Sequence, residues 1–253
     1  VSRRFGLAVA LATMATVLAG CGSAISPNGA PPNVTKPAIV DVAIGGSESV
    51  EFSPNAGTTI RTVWTQLLYR ATIGTAGTFV DLAQPGETAA DAVEDDDARL
   101  RSLHPDLVTI WMSTADVLEG TPVTRYAVSL GTLVGAARAT GAKVLVANVP
   151  ALQRLPLYQA CVDDPRLCGV GGHVLPSAAA LATTIAAYNR VIAAVATAHG
   201  ATVVDVEAAI NRALATPAGV ATLSGNVAAL STGANAIVEK TFAGALPRSL
   251  RRG

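Results

Sequence analysis

The sequence predicts an α/β protein, a three-layer α/β/α sandwich around a five-stranded parallel sheet. Three observations predict it. Short apolar runs rich in β-branched residues alternate with longer stretches of helical spacing. Pro, Ser and Gly stand where helices should start and stop. Strand–helix alternation implies parallel strands joined by right-handed crossovers, which puts helices on both faces of the sheet.

The elements follow in order. Residues 39–44 are an apolar, β-branched run ending in Gly45-Gly46, a buried strand. Residues 58–70 place Ile60, Val63, Trp64, Leu67 and Leu68 on one side of a helix. Residues 78–83 are the second strand, and 88–103 a helix with Asp91 and Glu94 to Asp97 on its solvent face. Residues 106–112 form a strongly apolar third strand. Pro122 opens a helix to about residue 140, and Gly141 ends it. Residues 143–148 are the fourth strand, and 149–176 read as a long loop rich in Pro and Gly. Ser177 caps a helix to residue 198, stopped by Gly200. Residues 202–206 form the fifth strand, with Asp205 at its end placed to cap a short helix over 207–214. The last helix covers about 232–246. No composition break divides this region, so 38–247 reads as one domain, followed by a basic tail at 248–253.

The first twenty residues read as an address. Arg3 and Arg4 give a positive start, and residues 5–19 are uncharged and mostly apolar. That run falls short of the roughly 20 residues that span a bilayer core, and fits a secretory signal. Leu18-Ala19-Gly20-Cys21 then reads as a lipobox, with Cys21 the lipidated residue after cleavage. An ordinary signal peptide with an incidental Cys21 is the rival. Residues 21–37, rich in Gly, Pro, Ser and Asn, suit a flexible tether. No other run reads as a transmembrane helix. The expectation is an exported protein held by lipid to the outer face of the cell membrane.

Charge narrows the function. The chain carries 18 basic and 18 acidic residues, so it lacks the basic excess of a nucleic-acid binder. Cys161 and Cys168 flank a short loop-like stretch, and in an oxidising compartment such a pair closes a disulfide. A metal site is the alternative, but no His or further Cys has zinc-ligand spacing around them. Neither a metal nor another cofactor is expected.

In an open parallel sheet, ligands bind at the carboxyl ends of the strands. The segments at those ends are Ile44-Gly45-Gly46-Ser47-Glu48-Ser49, Asp81-Leu82-Ala83-Gln84-Pro85-Gly86-Glu87-Thr88 and Ser113-Thr114-Ala115-Asp116, with Ser231-Thr232-Gly233-Ala234 opening the last helix. Their order and spacing resemble the GDSL/SGNH hydrolase family of esterases and lipases, over about residues 39–246. The resemblance implies a flavodoxin-like sandwich of the SGNH hydrolase type. It also implies that Ser47 stands at the nucleophile position and that the Gly86 N–H belongs to an oxyanion hole.

The same resemblance exposes departures. The family's Gly-Asp-Ser turn has Gly46 in place of Asp. Its Gly-x-Asn-Asp block has Ala115 in place of the oxyanion-hole Asn. Its Asp-x-x-His block reads Asn226-Val227-Ala228-Ala229, so Asn226 replaces the orienting acid and Ala229 the base. A serine hydroxyl is a poor nucleophile until a base takes its proton, and no His lies anywhere in residues 200–253. Of the three histidines, His104 and His199 precede strands and belong at the far end of the sheet. His173, in the long loop after the fourth strand, is either a solvent-facing residue or a substitute base. Glu48 and Glu87 border the expected cleft, Asp116 is placed to order the turn after the third strand, and Trp64 and Trp111 read as core.

Two function classes remain at this level. One is a catalytically impaired SGNH-like lipoprotein that binds a glycan, an acyl chain or a protein. The other is an active ester hydrolase using Ser47 with a non-standard base.

Overall fold

The computed structural model describes residues 39–50, 59–74, 77–164, 175–223 and 230–250. Five strands form one sheet: β1 (Val40–Gly45), β2 (Thr78–Asp81), β3 (Leu107–Trp111), β4 (Lys143–Ala147) and β5 (Thr202–Val204). Their order is β2-β1-β3-β4-β5, and every neighbouring pair is parallel. The expected three-layer α/β/α architecture is therefore the observed one.

The helices are α1 (Trp64–Leu68), α2 (Ala89–Leu103), α3 (Thr114–Glu119), α4 (Val123–Ala139), α5 (Pro156–Asp163), α6 (Ala178–His199), α7 (Val206–Ala213), α8 (Pro217–Leu223) and α9 (Thr232–Ala245). Alternating side chains divide each strand between two cores, as the period of 2 requires. Val42, Ile44, Val108, Ile110, Val144 and Val146 join the layer of α2, α4 and α6. Leu107, Trp111, Leu145, Ala147 and Val204 join the layer of α1, α7 and α9. There Trp64 stacks on Phe242 at 4.2 Å and meets Trp111 edge-on at 6.1 Å, so both tryptophans are core. Leu250, beyond the expected end of the domain, packs in this second layer.

Caps explain where helices begin. The Thr88 side chain accepts from Asp91 N–H while Asp91 returns a bond to Thr88 N–H, a reciprocal capping box. Ser177, Asp205 and Ser231 each accept a backbone N–H three residues on. Asp205 therefore ends β5 at Val204, and Val206 becomes the first residue of α7 instead of the last of the strand.

The remaining differences from the sequence reading have local causes. The single helix expected over 58–70 is broken at Val63, whose backbone is extended, into a 3-10 turn, α1 and a π-turn at Tyr69–Ile73. Segment 149–176, read as loop, contains α5, which starts with Pro156 at its first position. Asp96, read as part of a solvated acidic face, is fully buried. It falls on the same helical stripe as Ala89, Ala92 and Leu100, so periodicity carries it inward with them. Helix α6 is also long and apolar enough to cross a membrane by length and composition. Alanine content makes it so, and its Leu181, Ile185, Tyr188 and Ile192 are buried in the sheet's first core.

Candidate active site

Chain order and sheet order differ at one place. The chain leaves β1 for β2 on one side, then returns to β3 on the other. At such a switch point, here the carboxyl ends of β1 and β3, α/β sheets place their ligands. Ser47 follows β1 there, and Ser113 to Ala115 follow β3.

Backbone bonds lock the three turns together. Gln84 N–H donates to the Gly45 carbonyl at 3.0 Å, Gly46 N–H to the Trp111 carbonyl at 3.4 Å, and Ser49 N–H to the Gly46 carbonyl at 2.9 Å. Trp64 Nε1 donates to the Glu48 carbonyl at 3.1 Å. The Gly86 N–H donates to Ser47 Oγ at 2.9 Å. Gly86 holds φ at 76°, a left-handed conformation that favours glycine, and this conformation turns its N–H toward the serine.

Asp116 ties the third turn to the second. Its Oδ2 accepts the Ala89 N–H at 2.8 Å, which fixes the start of α2 just after Gly86. Burial raises the pKa of Asp116 above the usual carboxylate range, and the Ala89 N–H and Thr121 hydroxyl pull it back. Ala115 lies beside it, half-buried, and offers no side-chain donor.

Several carboxyls near these turns are buried. Burial pushes Glu48 up to about 7, against the pull of the Thr114 and Ser113 amides and the Thr114 hydroxyl. Glu87 is only 5% exposed. Burial first, then the neighbouring Asp96 charge, raises it to about 8. Glu87 Oε1 accepts from Gln84 Nε2 at 3.3 Å. The sequence sets Glu48 and Glu87 at the border of the expected cleft without fixing their direction; the structure turns both carboxyls inward.

The other candidates stand as follows. His104 and His199 are exposed, at the ends of α2 and α6, next to the amino ends of β3 and β5 and opposite the Ser47 turn. Among the described residues, no imidazole or carboxylate is hydrogen-bonded to Ser47 Oγ. Cys161 lies buried on α5. Cys21, Cys168, His173, Asn226 and Ala229 lie outside the described residues. Asn235, near the start of α9, donates from its Nδ2 to the Leu230 and Ser231 carbonyls. Asn235 Oδ1 accepts the Trp64 N–H at 2.8 Å. Among the described residues no cluster of His, Cys, Asp and Glu has the makings of a metal site. A separate concavity of about 540 Å³ opens between α5 and the α7–α8 segment, lined in part by Arg154, Gln159, Leu214 and Val220. None of the candidate site residues named above lines it.

The GDSL-like Lipase/Acylhydrolase family matches residues 43–223, well over half of the sequence. The chain belongs to this family. Solved structures of similar fold include Axe2, an acetylxylan esterase from Geobacillus stearothermophilus, with a TM-score of 0.61 and 17% identity, covering 86% of this chain and 98% of that one. A lipase/acylhydrolase from Enterococcus faecalis gives 0.58 and 18%, covering 85% and 100%. The psychrotrophic esterase EstA from Pseudoalteromonas sp. gives 0.55 and 16%, covering 81% and 94%. At these identities the likeness is one of fold. No curated protein matches the chain by sequence.

Proposed function

We propose that this GDSL-like protein is exported, anchored by lipid at Cys21 and catalytically impaired, and that its site binds a glycan, an acyl chain or a protein at the cell envelope. One observation carries the reading. Ser47 Oγ accepts its hydrogen bond from the Gly86 N–H, while the positions for base, orienting acid and oxyanion-hole Asn hold Ala229, Asn226 and Ala115. A hydroxyl held only by a donor keeps its proton, and an alanine methyl cannot take it. Without a base there is no imidazolium for an acid to steady, and Asn226 carries no charge to do so. Loss of one oxyanion donor alone typically costs about 10²–10³ in rate. What remains is the Ser47 hydroxyl with its one backbone donor, the Gly86 N–H, and no base to activate it.

The disulfide between Cys161 and Cys168 belongs to the same proposal, since an exported domain meets an oxidising compartment. Cys161 supports it, being buried and not a free thiol.

A second reading rests on the retained Ser47–Gly86 contact. It makes the protein an active serine ester hydrolase, of esterase, lipase or carbohydrate deacetylase type, with His173 as base. A short-chain ester assay on the wild type and Ser47→Ala separates the two. We expect no turnover above the Ser47→Ala background. A kcat/KM of about 10⁴ M⁻¹s⁻¹ or more that vanishes in Ser47→Ala and in His173→Ala would establish the second reading instead.

A further inference from the structure

Trp64 opens α1, so its N–H is a helix-start donor without a partner inside the helix, and the preceding Val63 has no side-chain oxygen to cap it. The cap comes from the far end of the chain. Asn235 Oδ1 accepts this N–H at 2.8 Å. Asn235 lies in the first turn of α9 and is 4% exposed. Asparagine is a poor helix former, and a buried amide is costly unless it is bonded. Here both halves are used, since Nδ2 donates to the Leu230 carbonyl at 3.0 Å and to the Ser231 carbonyl at 3.2 Å. Two turns further along the same face of α9, Phe242 stacks on the Trp64 ring at 4.2 Å. Helix α9 therefore grips Trp64 at its backbone and at its ring. The indole in turn reaches the site, because Nε1 donates to the Glu48 carbonyl at 3.1 Å. On the other side of Ser47, Gly46 N–H donates to the Trp111 carbonyl at 3.4 Å. Ser47 is thus held between one bond to β3 and one from Trp64.

We propose that Trp64 and Asn235 are positioning residues for the Ser47–Gly86 contact. Asn235 fixes Trp64 against the start of α9, and the Trp64 indole fixes the Glu48 carbonyl, one residue from Ser47. The Ser47 Oγ is thereby held where the Gly86 N–H meets it at 2.9 Å. The indole cannot drift after the turn, because it is fully buried between Phe242 and the edge-on ring of Trp111. This role is independent of whether Ser47 turns over an ester, since it concerns only the geometry of the turn.

Residue-resolved amide hydrogen exchange on the full chain tests it, with the Ile110 amide in the middle of the sheet as the measure of global opening. Asn235→Ala should speed exchange at the Trp64 and Gly86 amides by about tenfold relative to Ile110, and shift the resonance of the Trp64 indole N–H. Trp64→Phe keeps an aromatic ring against Phe242 and the backbone bond to Asn235, and removes only the donor to Glu48. It should speed Gly86 by a similar factor while the amide at position 64 stays as slow as in wild type. The double variant should add less than about twofold more at Gly86, since both changes cut the same connection. Acceleration at Ile110 equal to that at Gly86 would show that these residues only stabilise the fold, and would overturn the proposal. So would a Gly86 amide that either single variant leaves unchanged, or one on which the two changes act independently.

Discussion

Asp41 offers a test of how this fold responds to pH. It sits in the middle of β1, opposite Phe79 on β2 and Leu107 on β3, and is 1% exposed. Its Oδ1 has no hydrogen-bond partner. Burial, and then the nearby Asp81 charge, raise its pKa from the ordinary 3.8 to about 8. Asp81 itself is raised to about 6, mainly by burial. The folded state therefore holds a proton on Asp41 that the unfolded chain has released. Between about pH 4 and about pH 8 the native state binds more protons, so stability falls as pH rises through that window and is full below it. At about 1.4 kcal/mol per unit the whole shift corresponds to an upper bound of roughly 6 kcal/mol. Relaxation around a buried charge removes part of this, and we expect about 3 kcal/mol. Asp41→Asn keeps the shape of the protonated side chain and abolishes its titration. Denaturant unfolding should find wild type and variant similar near about pH 4.5, with the variant more stable by about 3 kcal/mol near about pH 8.5. That difference amounts to roughly 6–12 °C in Tm for a domain of this size. A stability difference that stays constant from acid to alkaline pH would refute the assignment of a protonated Asp41, and one that reverses sign would show that the carboxylate is the favoured form.

Two further outcomes follow from the site and the leader. Gly86→Ala meets no atom within 4 Å of its new Cβ but must hold φ at 76°, so the cost is conformational, about 1–2 kcal/mol; unfolding that is unchanged would mean the turn relaxes freely and the Ser47 contact is not fixed by it. Cys21→Ser should move the protein from the membrane fraction to the soluble fraction of cells, and intact protein that stays with the membrane would reject lipidation.

The sequence alone determined the sandwich, because strand and helix periods are local properties of the chain. Val42 and Ile44, or Leu181 and Ile185, show their periods within one element, and Ser177, Asp205 and Ser231 mark their helix starts within four residues. Family motifs then led to Ser47 and Gly86, since those turns sit at strand ends in a fixed order. Tertiary structure decided the rest. Whether Asp96 or Glu87 faces water depends on what packs above the helix or turn that carries it, and neither neighbour is near in sequence. The Gly86–Ser47 bond joins residues 39 positions apart, the Asp116–Ala89 bond residues 27 apart, and the Asn235–Trp64 bond residues 171 apart. Burial of a polar group is set by contacts closed over long loops, which local propensity does not encode.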